Sequence, residues 1–481
     1  MLLNQNKILK YPVISFLQVL IVLQVYVLSS FAGVTLAETT VQNSQSDMIF
    51  SEIPFIKETP AAKYTLNLEE SLNIALENNS LFNIQKKDTS IYKLRATRGA
   101  LGFLPSLRTS MSYTYQTEKA EIGEDYKFNV PGIGPLTFAG FQVEDRWKRQ
   151  NTVTVSQPLT NLYEIYHNYK ITILNREKAL IEEEYAGNIL ALSVYNKYFD
   201  ILTTKYQIEA IKKDIEEVEL LLELAEARYV NGTALLRDVQ KVEVELDNAR
   251  YSLVLKENKL AEALNSFKKL LGLSLDDVLV IDTRFDSFSE LEPLDGLQKL
   301  AIENNQKIKQ QEINIKLAKH SKKLSYGSYI PDVNFNLNYL NQSGDDFMPK
   351  NNLIMGFNMD FEFFDWGKRE IKIKEKQLQV EQSELMLKDY IQDVKIAVQK
   401  KYNRIIETRK LIEKSFKAVD LAKTNFDITS TRYNVGYALL TDVLSDQADL
   451  ATARSDYYKA LFKEQTAIAE LKQVLGELID Y

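Results

Sequence analysis

Cysteine is absent from the 481 residues. That excludes disulfides, thiol catalysis, cysteine–zinc sites and a lipid-modified N-terminal cysteine. Histidine is almost absent. His167 and His320 lie far apart in the chain, which argues against a histidine-rich metal site. Each is expected at a surface or an interface rather than as a ligand. A basic excess is also lacking, since 59 Lys and Arg face 66 Asp and Glu for a net charge of −7. Nucleic-acid binders carry a basic footprint, so no such partner is expected. Only 10 Pro and 17 Gly punctuate the chain, which points to long uninterrupted elements. There is no Gly-rich phosphate loop and no constellation of nucleophile, base and orienting group. Acidic pairs such as Glu216-Glu217 read as solvated helix faces. The chain is therefore not expected to be an enzyme or to hold a cofactor or metal. Any energy for its work comes from a partner.

The N-terminus reads as an export signal. Lys7 and Lys10 precede an apolar stretch from Val13 to Leu28, and Ser30-Phe31-Ala32 and Thr35-Leu36-Ala37 supply small residues for cleavage. A signal peptide over 1–37 follows from this layout. Gln18, Gln24 and the short length speak against a retained span. No later segment has 18 consecutive apolar residues, so no downstream helix is expected to cross a membrane.

The rest of the chain is written twice. Glu77-Asn78-Asn79 recurs as Glu303-Asn304-Asn305, and Leu104-Pro105 as Ile330-Pro331. Arg228-Tyr229-Val230-Asn231-Gly232 recurs as Arg432-Tyr433-Asn434-Val435-Gly436. Asp238-Val239 recurs as Asp442-Val443, Ala249-Arg250 as Ala453-Arg454, and Leu271-Gly272 as Leu475-Gly476. The spacing slips only between Gln116 and Gln157, where the first copy carries extra residues around Pro131-Gly132. An insertion there marks a loop tip.

Each copy reads as helix, hairpin, very long helix, return helix. Apolar residues recur every seven at Val194, Ile201, Ile208, Ile215, Leu222 and Tyr229, and again at Val398, Ile405, Ile412, Val419, Phe426 and Tyr433. A period of seven held this long implies left-handed supercoiling against other helices. Single helices are expected near Leu68–Leu101 and Leu294–Gly327, half as long as the central ones. The expected division is 38–66 as an N-terminal equatorial segment, 67–271 as repeat 1 with its hairpin at 106–158, and 272–296 as an equatorial linker. Repeat 2 then spans 297–476 with its hairpin at 332–363, and 477–481 is a tail. The equatorial pieces should form a belt at mid-height.

The hairpins alternate. Val333, Phe335, Leu337 and Tyr339 interleave with Asp332, Asn334, Asn336 and Asn338. Met355, Phe357, Met359, Phe361 and Phe363 form one face of the partner strand, and Leu107, Met111, Tyr113 and Tyr115 do the same earlier. Ten-residue strands with apolar-out, polar-in alternation fit a transmembrane barrel. Tyr113, Phe335, Tyr339, Phe357 and Phe361 are the candidate lipid-facing residues. Four strands cannot close a barrel, whose minimum is about eight. Open edges cannot face lipid. Several copies must then share one barrel. Two would give eight strands and three would give twelve.

With its doubled Tyr-x-x-Gly turns, the Asp-Val that follows each and the Asn-Asn and Pro-hairpin layout, the chain resembles the TolC family of outer-membrane efflux and secretion factors. The resemblance runs from about Tyr64 to Gly476 in both repeats. It implies a mainly α fold with a small transmembrane β part: a long coiled α-helical barrel continuous with a β-barrel shared by three protomers. It implies a homotrimer in the outer membrane of a Gram-negative cell, reaching into the periplasm. It further implies docking to a periplasmic adaptor and an inner-membrane pump of the RND or ABC type. In the family, an Asp of the first repeat, the Tyr of the second turn and an Arg after the second Gly hold the distant tip shut. Asp238 and Tyr433 match the first two, but the third position is Ala438. Arg237, Arg228 or Arg432 are the available substitutes. Asp442 matches the first of two inward carboxylates. The second position is Ser445, with Asp446 displaced by one residue. Carboxylates repeated around an axis act as cation-selecting rings. Gly232 and Gly436 mark the tip turns. The rival expectation is a secreted coiled-coil scaffold or adhesin without a pore, which would need no lipid-facing strands.

Overall fold

The computed structural model describes residues 63–118, 121–122, 126–138, 141–142, 144–282, 291–345 and 348–478. The expected signal peptide, most of the segment 38–66 and the last three residues of the tail lie outside the described residues. The first copy runs β1 (Lys63–Leu66), α1 (Leu68–Asn78), α2 (Ser80–Leu101), β2 (Ser106–Tyr115), β3 (Glu121–Ile122), β4 (Tyr126–Val130), β5 (Gly134–Phe138), β6 (Phe141–Gln142), β7 (Glu144–Pro158), α3 (Leu162–Val230) and α4 (Leu236–Leu271). The second runs β8 (Val278–Ile281), α5 (Leu294–Asn304), α6 (Gln306–Ser325), β9 (Asp332–Asp345), β10 (Asn351–Asp360), α7 (Lys368–Asn434) and α8 (Leu440–Leu475).

The long helices α3 and α7 have 69 and 67 residues. At about 1.5 Å per residue each is roughly 100 Å long. Their seven-residue stripe is the packed seam. Val194, Ile201, Val398 and Ile405 are fully buried. The stripe ends differently in the two copies, because Tyr433 is 4% exposed and Tyr229 is 44% exposed. The return helices α4 and α8 pack on α3 and α7 respectively, and α8 also packs on α3.

The helices before the hairpins are not single. Asn79 separates α1 from α2, and Asn305 separates α5 from α6. Both residues leave helical geometry and turn their side chains into caps. Asn79 Oδ1 accepts from the Phe82 N–H at 3.0 Å, and Asn305 Oδ1 from the Lys307 N–H at 3.0 Å. Their amide groups then reach the ends of the return helices. Asn79 Nδ2 donates to the Leu270 carbonyl and Asn305 Nδ2 to the Val474 carbonyl, each at 2.9 Å. The return helices stop at Gly272 and Gly476, both left-handed. A Cβ at Gly272 would sit 2.5 Å from the Asn78 carbonyl oxygen, and one at Gly476 would sit 2.8 Å from that of Asn304. The duplicated Asn-Asn and Leu-Gly motifs are thus the two halves of one junction, made twice.

Near that junction β1 and β8 pair in parallel, from Lys63 with Val278 to Leu66 with Ile281. Leu66, Leu279 and Ile281 pack with Val194, Tyr198 and Phe267. Tyr198 lies halfway along α3 and donates its hydroxyl to the Asp282 carbonyl at 2.8 Å.

The main sheet is antiparallel in the order β10-β9-β7-β2. Its register puts Phe357 opposite Phe335, Met355 opposite Leu337 and Leu353 opposite Tyr339. Val155 and Val153 of β7 join the same face beside Leu337 and Tyr339. The opposite face carries ladders such as Thr154 with Asn338, joined by a 2.7 Å hydrogen bond. Two expectations need correction. Phe361 is not a strand residue, because β10 ends at Asp360. Arg369 draws the chain away there, its guanidinium lying 5.5 Å from the Phe361 ring. The first hairpin's insertion is also more than a loop, since β3 pairs with β6 and β4 with β5.

Candidate functional site: the tip turns and the apolar sheet face

Each long helix ends in the same hydrogen-bonded turn. The N–H of Gly232 donates to the Tyr229 carbonyl at 2.9 Å and that of Thr233 to Arg228 at 2.8 Å. In the second copy Gly436 donates to Tyr433 at 3.0 Å and Tyr437 to Arg432 at 2.8 Å. The glycines have φ of +69° and +89°, which a side chain would strain. The chain then re-enters a helix at Leu236 and Leu440. Asp238 Oδ2 accepts from the Leu235 N–H at 3.2 Å, and Asp442 Oδ2 from the Leu439 N–H at 3.3 Å. Both carboxylates therefore satisfy exposed amides at a helix start, where negative charge is favoured.

The structure brings Arg228, Tyr433 and Asp238 together. The Arg228 guanidinium lies 4.6 Å from the centre of the Tyr433 ring. Its Nη1 also donates to the Tyr433 carbonyl. Tyr433 packs with Val218, Leu221, Val239 and Val443. Its hydroxyl is buried and has no hydrogen-bond partner among the described residues. Burial raises the Tyr433 pKa, Arg228 opposes that rise, and Asp238 adds to it. Of the three candidate substitutes for the missing Arg, Arg228 is the one that reaches Tyr433. Arg237 Nε approaches Asp238 Oδ1 at 3.7 Å. Arg432 is exposed. Ala438 packs against the same tip cluster.

Asp442 is exposed on α8, whereas Asp446 is half-buried. Asp449, one heptad beyond Asp442, is exposed as well. Among the described residues no group of three or more His, Asp or Glu is placed to hold a metal.

At the other end, the apolar sheet face is open. Phe357 is 68% exposed. The chain's two tryptophans stand at its two borders. Trp147 packs against Tyr115 at the far end of β2 and β7, the ring centres 4.9 Å apart and the planes tilted by 51°. Trp366 sits with Phe364 where β10 gives way to α7, at a ring separation of 4.9 Å. Asp365 fixes that turn by accepting from the Gly367 and Arg369 N–H groups at 3.2 and 3.0 Å. Trp366 is thereby held outward with φ of +62°. An apolar band between aromatic rims is the surface of a membrane-inserted β-structure.

Hundred-ångström paired helices continuous with such a sheet define the protomer of a membrane channel-tunnel. The chain belongs to the outer membrane efflux protein family, whose model matches residues 74–273 and 297–477, one match per repeat. It is 22% identical over 436 residues to the outer membrane protein TolC of Vibrio cholerae, covering 87% of this chain and 92% of that protein. It is 23% identical over 294 residues to the pyoverdine export outer membrane protein OpmQ of Pseudomonas aeruginosa, covering 60% of this chain and 61% of that one. Among solved structures, CusC superposes with a TM-score of 0.73 at 13% identity, over 85% of this chain and 91% of its own. The CmeC outer membrane channel of Campylobacter jejuni gives a TM-score of 0.71 at 13% identity, over 92% of this chain and 95% of its own. The protein is an outer-membrane efflux duct of the TolC family and not an enzyme.

Proposed function

We propose that three copies close one twelve-stranded barrel and one tunnel of helices, forming a passive exit duct gated at its periplasmic tip. The observation that carries this reading is the pair of open edges, β2 and β10. Open edges cannot face lipid, and β2 of one copy meets β10 of the next in antiparallel sense. The helices support it. Leu94 of α2 is 70% exposed and Ile371 of α7 is 69% exposed. They are the counterparts of His320 and His167, which meet inside one chain at the seam of α6 with α3. The same seam between copies would bring Leu94 against Ile371 and cover both.

Asp238, Tyr433 and Arg228 form the gate contacts of each copy, and Asp442 supplies the acidic ring, with Asp446 secondary. A periplasmic adaptor and an inner-membrane pump of the RND or ABC type open the tip and supply the energy. The cargo is small toxic compounds or secreted polypeptides, because a wide aqueous lumen discriminates little and the pump chooses.

Single-channel conductance in a planar bilayer tests the reading, with and without Asp442→Ala. Discrete cation-selective openings whose selectivity falls in the variant are expected. Protein that stays in solution without detergent and carries no current would overturn it.

A further inference from the structure

The contact between Arg228 and Tyr433 joins the two repeats at the tip. Arg228 ends the long helix of the first copy and Tyr433 ends that of the second. In the internal repeat Arg228 corresponds to Arg432, and Tyr229 to Tyr433. The counterpart of this contact is therefore Arg432 against Tyr229. Within one chain that pair is not made. Arg432 is exposed and Tyr229 is half-exposed, while Tyr433 is buried.

Packing explains where the counterpart forms. α3 touches α4 on one side and α8 on the other, and α8 touches α7. The lower helices thus run in the order α4, α3, α8, α7. Arg228 reaches across from α3 to α7, around α8. The same step taken from α7 passes around α4 of the adjacent copy and lands on its α3, where Tyr229 waits. The flanking surfaces agree. Inside one chain the α3–α8 seam is charged, with Arg454 held by Asp214 at 2.8 Å and Glu217 at 2.9 Å. The counterparts of Asp214 and Glu217 on α7 are Ala418 and Leu421, and Leu421 is exposed. The counterpart of Arg454 is Arg250, already paired with Glu219 of its own α3 at 2.9 Å. The α7 face is thus apolar where the internal seam is ionic, and it asks for no charge from its neighbour.

We propose that Arg432 of one copy stacks on Tyr229 of the next. The closed tip is then a ring of alternating Arg–Tyr pairs, one inside each copy and one between copies. This rests on the three-copy assembly proposed above. Both kinds of pair must part before the tip can widen, so the inter-copy pairs couple the opening of one copy to that of its neighbours.

A chain without cysteine makes the test clean. Arg432→Cys combined with Tyr229→Cys is treated, in isolated outer membranes, with a short bifunctional thiol reagent. Covalent species of two and three chains on a non-reducing gel are expected. Arg228→Cys with Tyr433→Cys should link only within a chain and leave single chains. Leu94→Cys with Ile371→Cys reports on the upper seam and hence on assembly itself. If the seam pair links and the tip pair does not, the lock is overturned and the assembly stands. If neither links, the assembly reading fails with it. Conductance gives an independent readout. Arg432→Ala should raise closed-state leak about tenfold or more, three cation–π pairs being lost together. Adding Tyr229→Ala should change it little further, because the two side chains act as one contact. Additive effects would also overturn the lock.

Discussion

Nδ1 of His167 lies 3.1 Å from Nδ1 of His320. The chain's two histidines, distant in sequence, share one hydrogen bond between α3 and α6. Such a bond needs one ring nitrogen as donor and the other as acceptor, so at least one ring must be neutral. Burial lowers both pKa values from 6.5, helped by Lys323 on His167. On His320 burial is joined by His167, Lys323 and Lys170.

The sign of the pH effect follows. A folded-state pKa below 6.5 means the unfolded chain binds more protons in the interval between the two values. The pair's contribution is fully present above pH 6.5 and is lost as pH falls below it. Thermal melting at pH 7.5 and pH 5.5, as chosen test points, should differ by less in His320→Gln than in the parent protein. An unchanged difference would remove the pair as its source.

Arg454 predicts an asymmetric pair of substitutions. Burial raises the Asp214 pKa to about 6 against the opposing pull of Arg454. Arg454→Leu leaves two part-buried carboxylates without their cation and should cost about 3–5 kcal/mol, seen as a lower unfolding midpoint. Asp214→Asn keeps the Arg454–Glu217 contact at 2.9 Å and should cost far less at neutral pH. Equal losses from both would refute the proposed hierarchy.

Two left-handed glycines should respond differently to a methyl group. Gly232→Ala meets nothing within 4 Å and carries only the backbone penalty, about 1 kcal/mol. Gly272→Ala adds a 2.5 Å approach to the Asn78 carbonyl, so it should destabilise more and reduce the yield of assembled protein. Gel migration of unheated samples would report the difference.

Trp147 and Trp366 should lie near opposite faces of the bilayer. Lipids brominated close to the headgroup are expected to quench both single-tryptophan variants more than lipids brominated near the chain ends. Stronger quenching of either tryptophan from the bilayer centre would show that the band is misplaced.

Much of this architecture was legible because it is periodic. The stripe from Val194 to Ile208 and the alternation from Val333 to Tyr339 follow from helix and strand geometry alone. The duplication showed which residues correspond. What stayed hidden depends on packing between distant segments. Nothing local to His167 indicates His320, and the duplicated turns set Arg228, Arg237 and Arg432 near Tyr433 without saying which of them reaches its ring. The break at Asn79 had a readable cap in Asn-Ser-Leu-Phe, but its purpose appears only when the Leu270 carbonyl arrives from α4. Phe361 continues the alternation by sequence, yet the turn held by Asp365 and Arg369 has already begun to claim the chain.

The two long helices contain no proline and run unbroken between sheet and tip. Kinks in helices come from proline, π-bulges or inserted groups, and α3 and α7 offer no such pivot. The opening proposed above would therefore have no door hinge. It would widen as a rope unlays, each turn of the supercoil giving up a little pitch. A small twist applied far from the opening would then add up along the strand, and the whole length of the helices would share the movement.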